Sequence, residues 1–235
     1  MSLPVLNTPK YQLEQPSTGE KITYRPFLVK EQKVIMMAQE ANDSNLMMNS
    51  IGEIIKTCTF GKISRPETLP VFDIEYMFLM IRSKSVGSTI DLKVTCPDDG
   101  ETVVDHQIEI DDIKVIRTEG HQKEIMLTDG VGVVMRYPTI NMVTGFDAEN
   151  ALLTKPTFEL IRNSIQSVFD KEQTYDEMDA KELDEFIESM NTAQFEKMSD
   201  FFDTMPKLKH TFKVTNPNTE VESEITLEGL SSFLE

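Results

Sequence analysis

The side chains best suited to metal or acid–base chemistry are three histidines and two cysteines. His106 falls in an alternating apolar stretch, His121 in a turn-like segment, and His210 at the start of the last alternating stretch. None of the three stands at the spacing from a cysteine or an acid that a metal site requires. The sequence therefore predicts no histidine metal site, and we expect no cofactor.

One turn resembles half of a zinc knuckle. Cys96 and Pro97 open the turn Cys96-Pro97-Asp98-Asp99-Gly100, but the second cysteine of such a knuckle is missing. Asn216 stands where the distant partner cysteine would be. Without these two cysteines, the turn does not provide the set of thiolate ligands that a zinc knuckle requires. Cys58 belongs to an apolar helical stripe, and we expect it to pack as a small hydrophobic side chain.

No other motif of catalysis or nucleotide binding is recognisable in the sequence. It contains no phosphate-binding loop, no dinucleotide fingerprint and no Gly-x-Ser-x-Gly elbow. Asp170 to Lys181 resembles a calcium loop, but Tyr175 replaces its glycine and Lys181 its bidentate glutamate. We therefore expect a protein that acts by binding other proteins and not an enzyme. An enzyme with an unrecognised site is the third alternative, after two roles that involve no catalysis.

The net charge of −17 is unevenly distributed. Residues 1–90 contain ten Lys/Arg and nine Asp/Glu, whereas residues 91–235 contain 13 Lys/Arg and 31 Asp/Glu. This excess of acid argues against nucleic acid or anionic lipid as partner, because phosphate contacts need clustered Lys and Arg. It is typical of a well-solvated surface, or of an acidic face that docks on a basic partner. No signal peptide or membrane-spanning run is recognisable, so cytoplasmic synthesis is expected.

The most informative element is an apolar helix predicted from Phe72 to Ile81. Pro70 precedes it and Gly87 follows it, as is usual at the two ends of a helix. A helix that is apolar on nearly every face is buried all round, and this one is too short to span a bilayer. Its charges suit the helix dipole, with acids at the start and bases at the end: Asp73, Glu75, Arg82 and Lys84.

The remaining patterns predict an α+β fold, with helices, antiparallel strands, acidic helices and a closing hairpin in turn. Methionines, 14 in all, are expected to fill the core, although Met-rich surfaces also suit adaptable binding. Residues 23–235 are expected to form one compact unit. The predicted segments are an extended N-terminal arm (1–22), a helical part (23–90), antiparallel β-hairpins (91–138), an acidic helical region (139–206), and a C-terminal hairpin with a tail (207–235).

Within these segments, the hydrophobic periodicity predicts individual elements. Consecutive strands are expected to pair into an antiparallel meander of about four strands between 90 and 137. Helices are predicted at 30–38, 47–58, 139–152, 156–169, 179–190 and 192–204, with Asn42, Asp43 or Ser44 capping the second and Asp179 with Glu182 capping the fifth.

A short motif recurs at a constant offset of 120 residues. Leu92-Lys93-Val94-Thr95-Cys96-Pro97 returns as Phe212-Lys213-Val214-Thr215-Asn216-Pro217, each time as a strand followed by a turn. Common turn chemistry explains such a recurrence. The alternative is two related hairpins that pair in space, so that the chain leaves their sheet through its helical region and returns to it at the end.

Three segments together resemble the baseplate hub proteins of T-even-type contractile-tailed phages. The most specific is Phe72 to Gly87, and the other two are Tyr24 to Lys33 and Phe201 to Pro206. The resemblance covers the chain from about residue 20 to its end. Members often carry Cys-Pro-x-Cys where this chain has Cys96-Pro97-Asp98-Asp99, and that departure removes any metal site the relatives share.

The resemblance implies a non-enzymatic role in building the tail baseplate hub. The favoured hypothesis is an assembly factor or chaperone in the host cytoplasm, and the alternative is a stoichiometric hub subunit in the virion. Other hub proteins are the implied partners, and homo-oligomerisation is left open.

The motif residues implied to act as scaffold or partner contacts are spread over the three segments. Arg82 either complements the helix dipole or is held by an acid, such as Asp73 or Glu75, of a neighbouring copy or element. The full set is Tyr24, Arg25, Pro26, Phe27, Asp73, Glu75, Tyr76, Arg82, Ser85, Gly87, Met205 and Pro206.

Overall fold

The chain folds as an α+β protein, as predicted. A computed structural model describes residues 6–41, 43–143 and 158–233. Contacts divide the chain into two units, the first made of Met1–Ile116 with Lys207–Glu235 and the second of Arg117–Pro206. The segments predicted from the sequence follow the chain and not contacts in space, and they stay predictions.

The helices and strands occur in short blocks along the chain. In chain order they are β1 (Tyr11–Glu14), β2 (Lys21–Tyr24), α1 (Val29–Ala41), α2 (Ser44–Cys58), α3 (Val71–Val86), β3 (Thr89–Thr95), β4 (Val103–Glu109), β5 (Lys114–Ile116), β6 (Glu124–Met126), β7 (Gly132–Met135), α4 (Ile140–Val143), α5 (Phe158–Ser164), β8 (Ile165–Phe169), β9 (Thr174–Tyr175), α6 (Ala180–Glu188), α7 (Thr192–Thr204), β10 (Lys207–Thr215) and β11 (Glu222–Glu228). Short 3-10 helices lie at Pro66–Thr68, Ile110–Asp112 and Leu230–Phe233.

The first unit opens with a hairpin where an extended arm was expected. β1 and β2 pair antiparallel, with Leu13 opposite Ile22, and both of these side chains are buried. The arm predicted for residues 1–22 is therefore folded from Tyr11 onward. Alternating apolar residues on two four-residue strands suffice, because the rest of the unit covers one face of the hairpin.

Helix α3 forms the core of the first unit. It is buried along most of its length, including Asp73 and Glu75, and Gly87 ends it with a φ of 131°. It contacts α2, β5, β10 and the 3-10 helices at Ile110–Asp112 and Leu230–Phe233. The apolar helix predicted from the sequence is confirmed as the element around which the unit packs.

Helix α2 confirms both its predicted cap and its predicted stripe. The Asp43 carboxylate accepts hydrogen bonds from the backbone N–H groups of Asn45 and Leu46, at 2.9 and 3.0 Å. Such a cap satisfies N–H groups that have no partner within the helix. Met47 is half-buried, and the rest of the stripe is buried: Ile51, Ile54, Ile55 and Cys58.

Two hairpins of the first unit correspond to the repeated motif. β3 pairs with β4 and β10 with β11, both antiparallel as predicted. β10 also pairs with β5, a strand of three residues that is too short to show an alternating pattern. The four-strand meander predicted for the region 90–137 was wrong, because its two hairpins, β3–β4 and β6–β7, belong to separate sheets. β3–β4 stands alone, and β6–β7 belongs to the second unit.

The turns of these two hairpins meet, and we call this contact the turn clasp: Cys96 to Thr102 with Asn216 to Val221. The Asn216 side chain is buried, and its amide Nδ2 donates to Asp98 and Asp99 at 2.8–3.1 Å. Its amide oxygen accepts from the backbone N–H of Asn218 at 2.9 Å, which fixes the orientation of the amide. Beside the clasp, His106 stacks on Phe212 with ring centroids 4.1 Å apart.

The same turn is built twice in the clasp. Gly100 N–H donates to the carbonyl of Cys96, and Glu220 N–H to the carbonyl of Asn216, both at 2.9 Å. Gly100 and Glu220 both have positive φ, at 69° and 61°. The repeat at an offset of 120 residues therefore marks two like turns that contact each other, without joining their strands into one sheet.

The second unit contains a four-stranded antiparallel sheet in the order β6-β7-β8-β9. Helix 156–169 was predicted as one element, but of its described residues Phe158–Ser164 are helical and Ile165–Phe169 form β8. The prediction was wrong because β8 pairs along β7, a tertiary contact that overrides local propensity. Helix 139–152 begins as α4, and its remainder lies outside the described residues.

Helices α6 and α7 confirm their predicted ranges. Asp179 and Glu182 form the predicted capping box at α6, and Asn191 with Gln194 forms a second one at α7. Arg162 links α5 to α6 through Asp184 at 3.1 Å, and Lys197 Nζ donates to the carbonyl of Met126 at 2.8 Å. Inside the unit, His121 is buried beside the rings of Tyr137 and Phe201.

The turn clasp predicts a specific sensitivity at Asn216. Asn216→Asp replaces the shared amide donor with a third carboxylate beside Asp98 and Asp99. We expect a loss of about 3 kcal/mol or more in the free energy of unfolding at pH 7, since a hydrogen-bonded donor becomes a repelling charge. Part of this loss should be regained near pH 4, where carboxylates protonate. Urea unfolding at both pH values measures it.

Asn49→Asp is the matched control, because it makes the same substitution at an exposed position on α2, outside the turn clasp. It should cost less than about 1 kcal/mol. Equal losses for the two variants would contradict the assigned role of the Asn216 amide.

Candidate protein-interaction site

The motif residue Tyr24 ends β2, and Arg25 to Phe27 form a buried loop that leads toward α1. Arg25 Nη2 pairs with Glu31 Oε1 at 2.9 Å, and Arg25 Nη1 donates to the carbonyl of Pro26 at 2.8 Å. Glu31 Oε2 accepts the backbone N–H of Leu28 at 2.7 Å. Burial opposes the charge on Glu31, but these hydrogen bonds and the positive charge of Arg25 hold its pKa below the ordinary value.

Asp73 joins α3 to the turn between β1 and β2. Its carboxylate accepts hydrogen bonds from Gln15 Nε2 at 2.6 Å, from the backbone N–H of Ser17 at 2.9 Å, and from the Ser17 hydroxyl. Burial raises the pKa of Asp73, and the three bonds work against that rise. The N-terminal hairpin is therefore fixed to α3 by a buried carboxylate.

Glu75 joins α3 to the C-terminal segment. The side chain is buried, and its Oε1 accepts the backbone N–H of Leu230 at 3.0 Å. Burial raises the pKa of Glu75 to about 7, because this single hydrogen bond offsets little of the cost of burying the charge. The carboxyl group therefore gains and loses its proton near neutral pH.

The first two motif segments lie together in the first unit. Tyr24 Oη donates to the carbonyl of Met80 at 3.4 Å, and Phe27 N–H donates to Ser85 Oγ at 2.9 Å. Tyr76 is half-buried, and burial followed by the charges of Asp111 and Glu14 raises its pKa.

Arg82 differs from the acids of the same helix. It is half-buried, and its Nη1 is buried without a hydrogen-bond partner among the described residues. The carboxylates of Asp73 and Glu75 in the same chain accept their hydrogen bonds from other residues. Such a guanidinium is unusual, because buried donors are nearly always paired.

Met205 and Pro206 lie at the end of the second unit, and both are buried. Met205 N–H donates to the carbonyl of Phe201 at 2.9 Å, which closes the last turn of α7. Pro206 has no N–H group and cannot continue the helix.

Two surfaces stand out on the exterior. α1 exposes four large apolar side chains, Val29, Val34, Met36 and Met37, a face that sequence periodicity did not single out. On the second unit, ten of the twelve acids between 170 and 203 are exposed. The acidic composition had signalled this second surface, whereas only the adjacent methionines pointed toward the first.

Within the described ranges, no three His, Cys, Asp or Glu side chains are grouped closely enough to hold a metal ion. In the same part of the chain, no helix is both long and apolar enough to cross a membrane.

Comparison with known proteins places the chain in a phage family. A model of the family described as T4 bacteriophage base plate protein matches residues 8–235. The chain belongs to this family. The searches of curated proteins and of solved structures found no match.

Family membership confirms the predicted resemblance at the level of the baseplate. It implies a structural or assembly role there, with contacts to other baseplate proteins and association with the phage tail. In this baseplate protein, the residues that carried the resemblance are largely internal. Arg82 is the motif side chain whose buried polar atom lacks a partner within the described part of the chain.

The raised pKa of Glu75 gives this baseplate protein a testable pH dependence. The folded state holds the proton to about pH 7, whereas an unfolded glutamate loses it near pH 4.3. Stability is therefore lost as the pH rises between those two values, by about 4 kcal/mol in total. Glu75→Gln keeps an acceptor for Leu230 N–H and removes the charge, so it should be more stable than wild type at pH 8 and equal to it near pH 4.5.

Urea unfolding at the two pH values tests this difference. Glu53→Gln serves as control, because the Glu53 side chain is 72% exposed and its neutralisation should change little at either pH. A difference between Glu75→Gln and wild type that is independent of pH would refute the buried-charge explanation.

Proposed function

We propose that this protein is an assembly factor of the baseplate hub that acts through protein–protein contacts and not through catalysis. Its place of action is the host cytoplasm during tail assembly. Membership of the baseplate family supports the setting. The observation that carries the assembly role is the exposed acidic surface of the second unit.

The acidic surface is suited to binding a basic partner. α6 and α7 bury apolar residues such as Leu183, Ile187 and Met198, while all of their acids except Asp184 are exposed. Between 170 and 203 these acids are accompanied by three lysines, so the local charge is strongly negative. A field of one sign speeds the encounter with a partner of opposite charge and leaves the contact reversible, as an assembly factor requires.

We propose that the motif residues serve mainly as scaffold, with Arg82 as the candidate partner contact. The bonds of Arg25, Asp73 and Glu75 support this division, since each has its partners inside the chain. The separate assignment of Arg82 is supported by a side chain that is only half-buried and by an Nη1 that has no hydrogen-bond partner among the described residues.

The acidic surface should be required for recruitment to hub intermediates. Glu188→Gln/Glu196→Gln/Asp200→Asn removes three exposed charges from α6 and α7, and we expect at least about tenfold less protein on intermediates isolated from infected cells. Affinity purification with quantitative mass spectrometry measures the amount. Glu101→Gln/Asp105→Asn/Glu109→Gln removes the same charge from the β3–β4 hairpin and its turn, and should bind as wild type. Equal binding by both triple variants would contradict the proposal.

Mature virions distinguish an assembly factor from a hub subunit. An assembly factor is present on hub intermediates and falls below one copy per particle in purified virions. Quantitative mass spectrometry of both fractions, normalised to a tail protein of fixed copy number, gives the ratio. Stoichiometric presence in virions would establish the alternative role of a structural subunit.

A further inference from the structure

The outer face of α1 is apolar and exposed. Val29, Val34, Met36 and Met37 are 68%, 44%, 51% and 68% exposed, whereas Glu31 and Ala38, seven residues apart, are buried on the opposite side. The helix thus uses a narrow stripe for its own fold and leaves a second apolar face in solvent. Exposed apolar side chains grouped in this way mark interaction surfaces, and methionines adapt readily to a partner.

Charges on the same face are ordered along the helix. Lys30 and Lys33 lie in its first half and Glu40 in its second half, and all three are exposed. Asp43, just beyond the end of α1, continues this order. Met36 and Met37 stand halfway between Lys33 and Glu40. Lys33, Met36 and Glu40 are spaced three and four residues apart, so they line one side of the helix.

This order is self-complementary under two-fold symmetry. If two copies of α1 pack antiparallel with the axis between Met36 and Met37, each Lys33 lies opposite Glu40 of the other copy. Met36 then lies opposite Met37, and the apolar side chains meet at the centre. A two-fold interface needs this property, since each contact between two positions occurs twice. Parallel packing would instead set Lys33 against Lys33.

The net negative charge of the chain lies outside the part of the sequence that contains α1. Residues 1–90 carry a net charge of +1 within a total of −17, so α1 belongs to the part of the sequence that repels a second copy least. A helix of 13 residues is about 20 Å long. Two such faces bury less than the roughly 1,600 Å² of a standard interface, so the association is expected to be weak and concentration-dependent.

We propose that α1 is a self-association surface on which a second copy of this chain docks antiparallel through Lys33, Met36, Met37 and Glu40. The inference is independent of the proposed role in hub assembly, because it concerns the purified protein alone.

Sedimentation velocity of the full chain, from about 10 to 500 µM, tests the proposal. Wild type should shift from monomer toward dimer over this range. Lys33→Glu replaces two attractive pairs with two repelling ones, so the dissociation constant should rise at least about tenfold. Lys33→Glu/Glu40→Lys reverses the order of the charges and should restore dimerisation. Lys171→Glu makes the same change of charge at an exposed turn and should leave the dimer unaffected.

Each outcome supports or overturns the proposal. At about 10 µM, where the protein is expected to be monomeric, thermal unfolding should give equal midpoints for all variants, because the substituted side chains are exposed. A wild type that stays monomeric at 500 µM overturns it, and would leave the α1 face to a different protein. Equal weakening by Lys33→Glu and Lys171→Glu also overturns it, since the effect would then be one of net charge. Failure of the double variant to recover excludes the antiparallel register.

Discussion

The first unit depends on two carboxylates that α3 carries into the core. An all-round apolar helix can be buried on every side, but Asp73 and Glu75 cannot be buried without partners. Asp73 obtains them from Gln15 and Ser17, near the start of the chain. Glu75 obtains one from Leu230, near its end. The satisfaction of buried polar groups thus ties both ends of the described first unit to one helix, 155 residues apart in the second case.

The two carboxylates are not equivalent. Among the described residues, Asp73 accepts three hydrogen bonds and Glu75 accepts one. Burial raises the pKa of Glu75 to about 7, because the bond from Leu230 offsets little of its cost. Burying a poorly solvated charge costs stability that an apolar residue would not cost. A buried carboxylate can favour one arrangement of the chain over others. The hydrogen bond from Leu230 N–H fixes the position of the C-terminal 3-10 helix more specifically than apolar packing alone.

Local patterns predicted local structure well. The apolar α3, the caps at Asp43 and Asp179 and the hairpin β3–β4 each depend on residues close in sequence. Pairing over long distances was not predictable in the same way. Ile165–Phe169 reads as the end of a helix until β7 is beside it, and Lys114–Ile116 becomes a strand because β10 provides its hydrogen bonds. The exposed face of α1 was hidden too, since Val, Met and Ala at helical spacing look the same whether they face the core or solvent.

The turn clasp shows what the sequence repeat corresponds to in the structure. Asp98 and Asp99 are neighbours in one turn of the clasp, and two adjacent like charges repel. The hydroxyl groups of Thr219 and Thr102 and the amide of Asn216 donate to these carboxylates and keep the pKa of both below the ordinary value. Both acids are thus satisfied by atoms of the chain itself. Asp99 and Asn216 occupy positions where a zinc knuckle would have cysteines. Here Asp99 accepts a hydrogen bond from Asn216, and this bond joins the two turns.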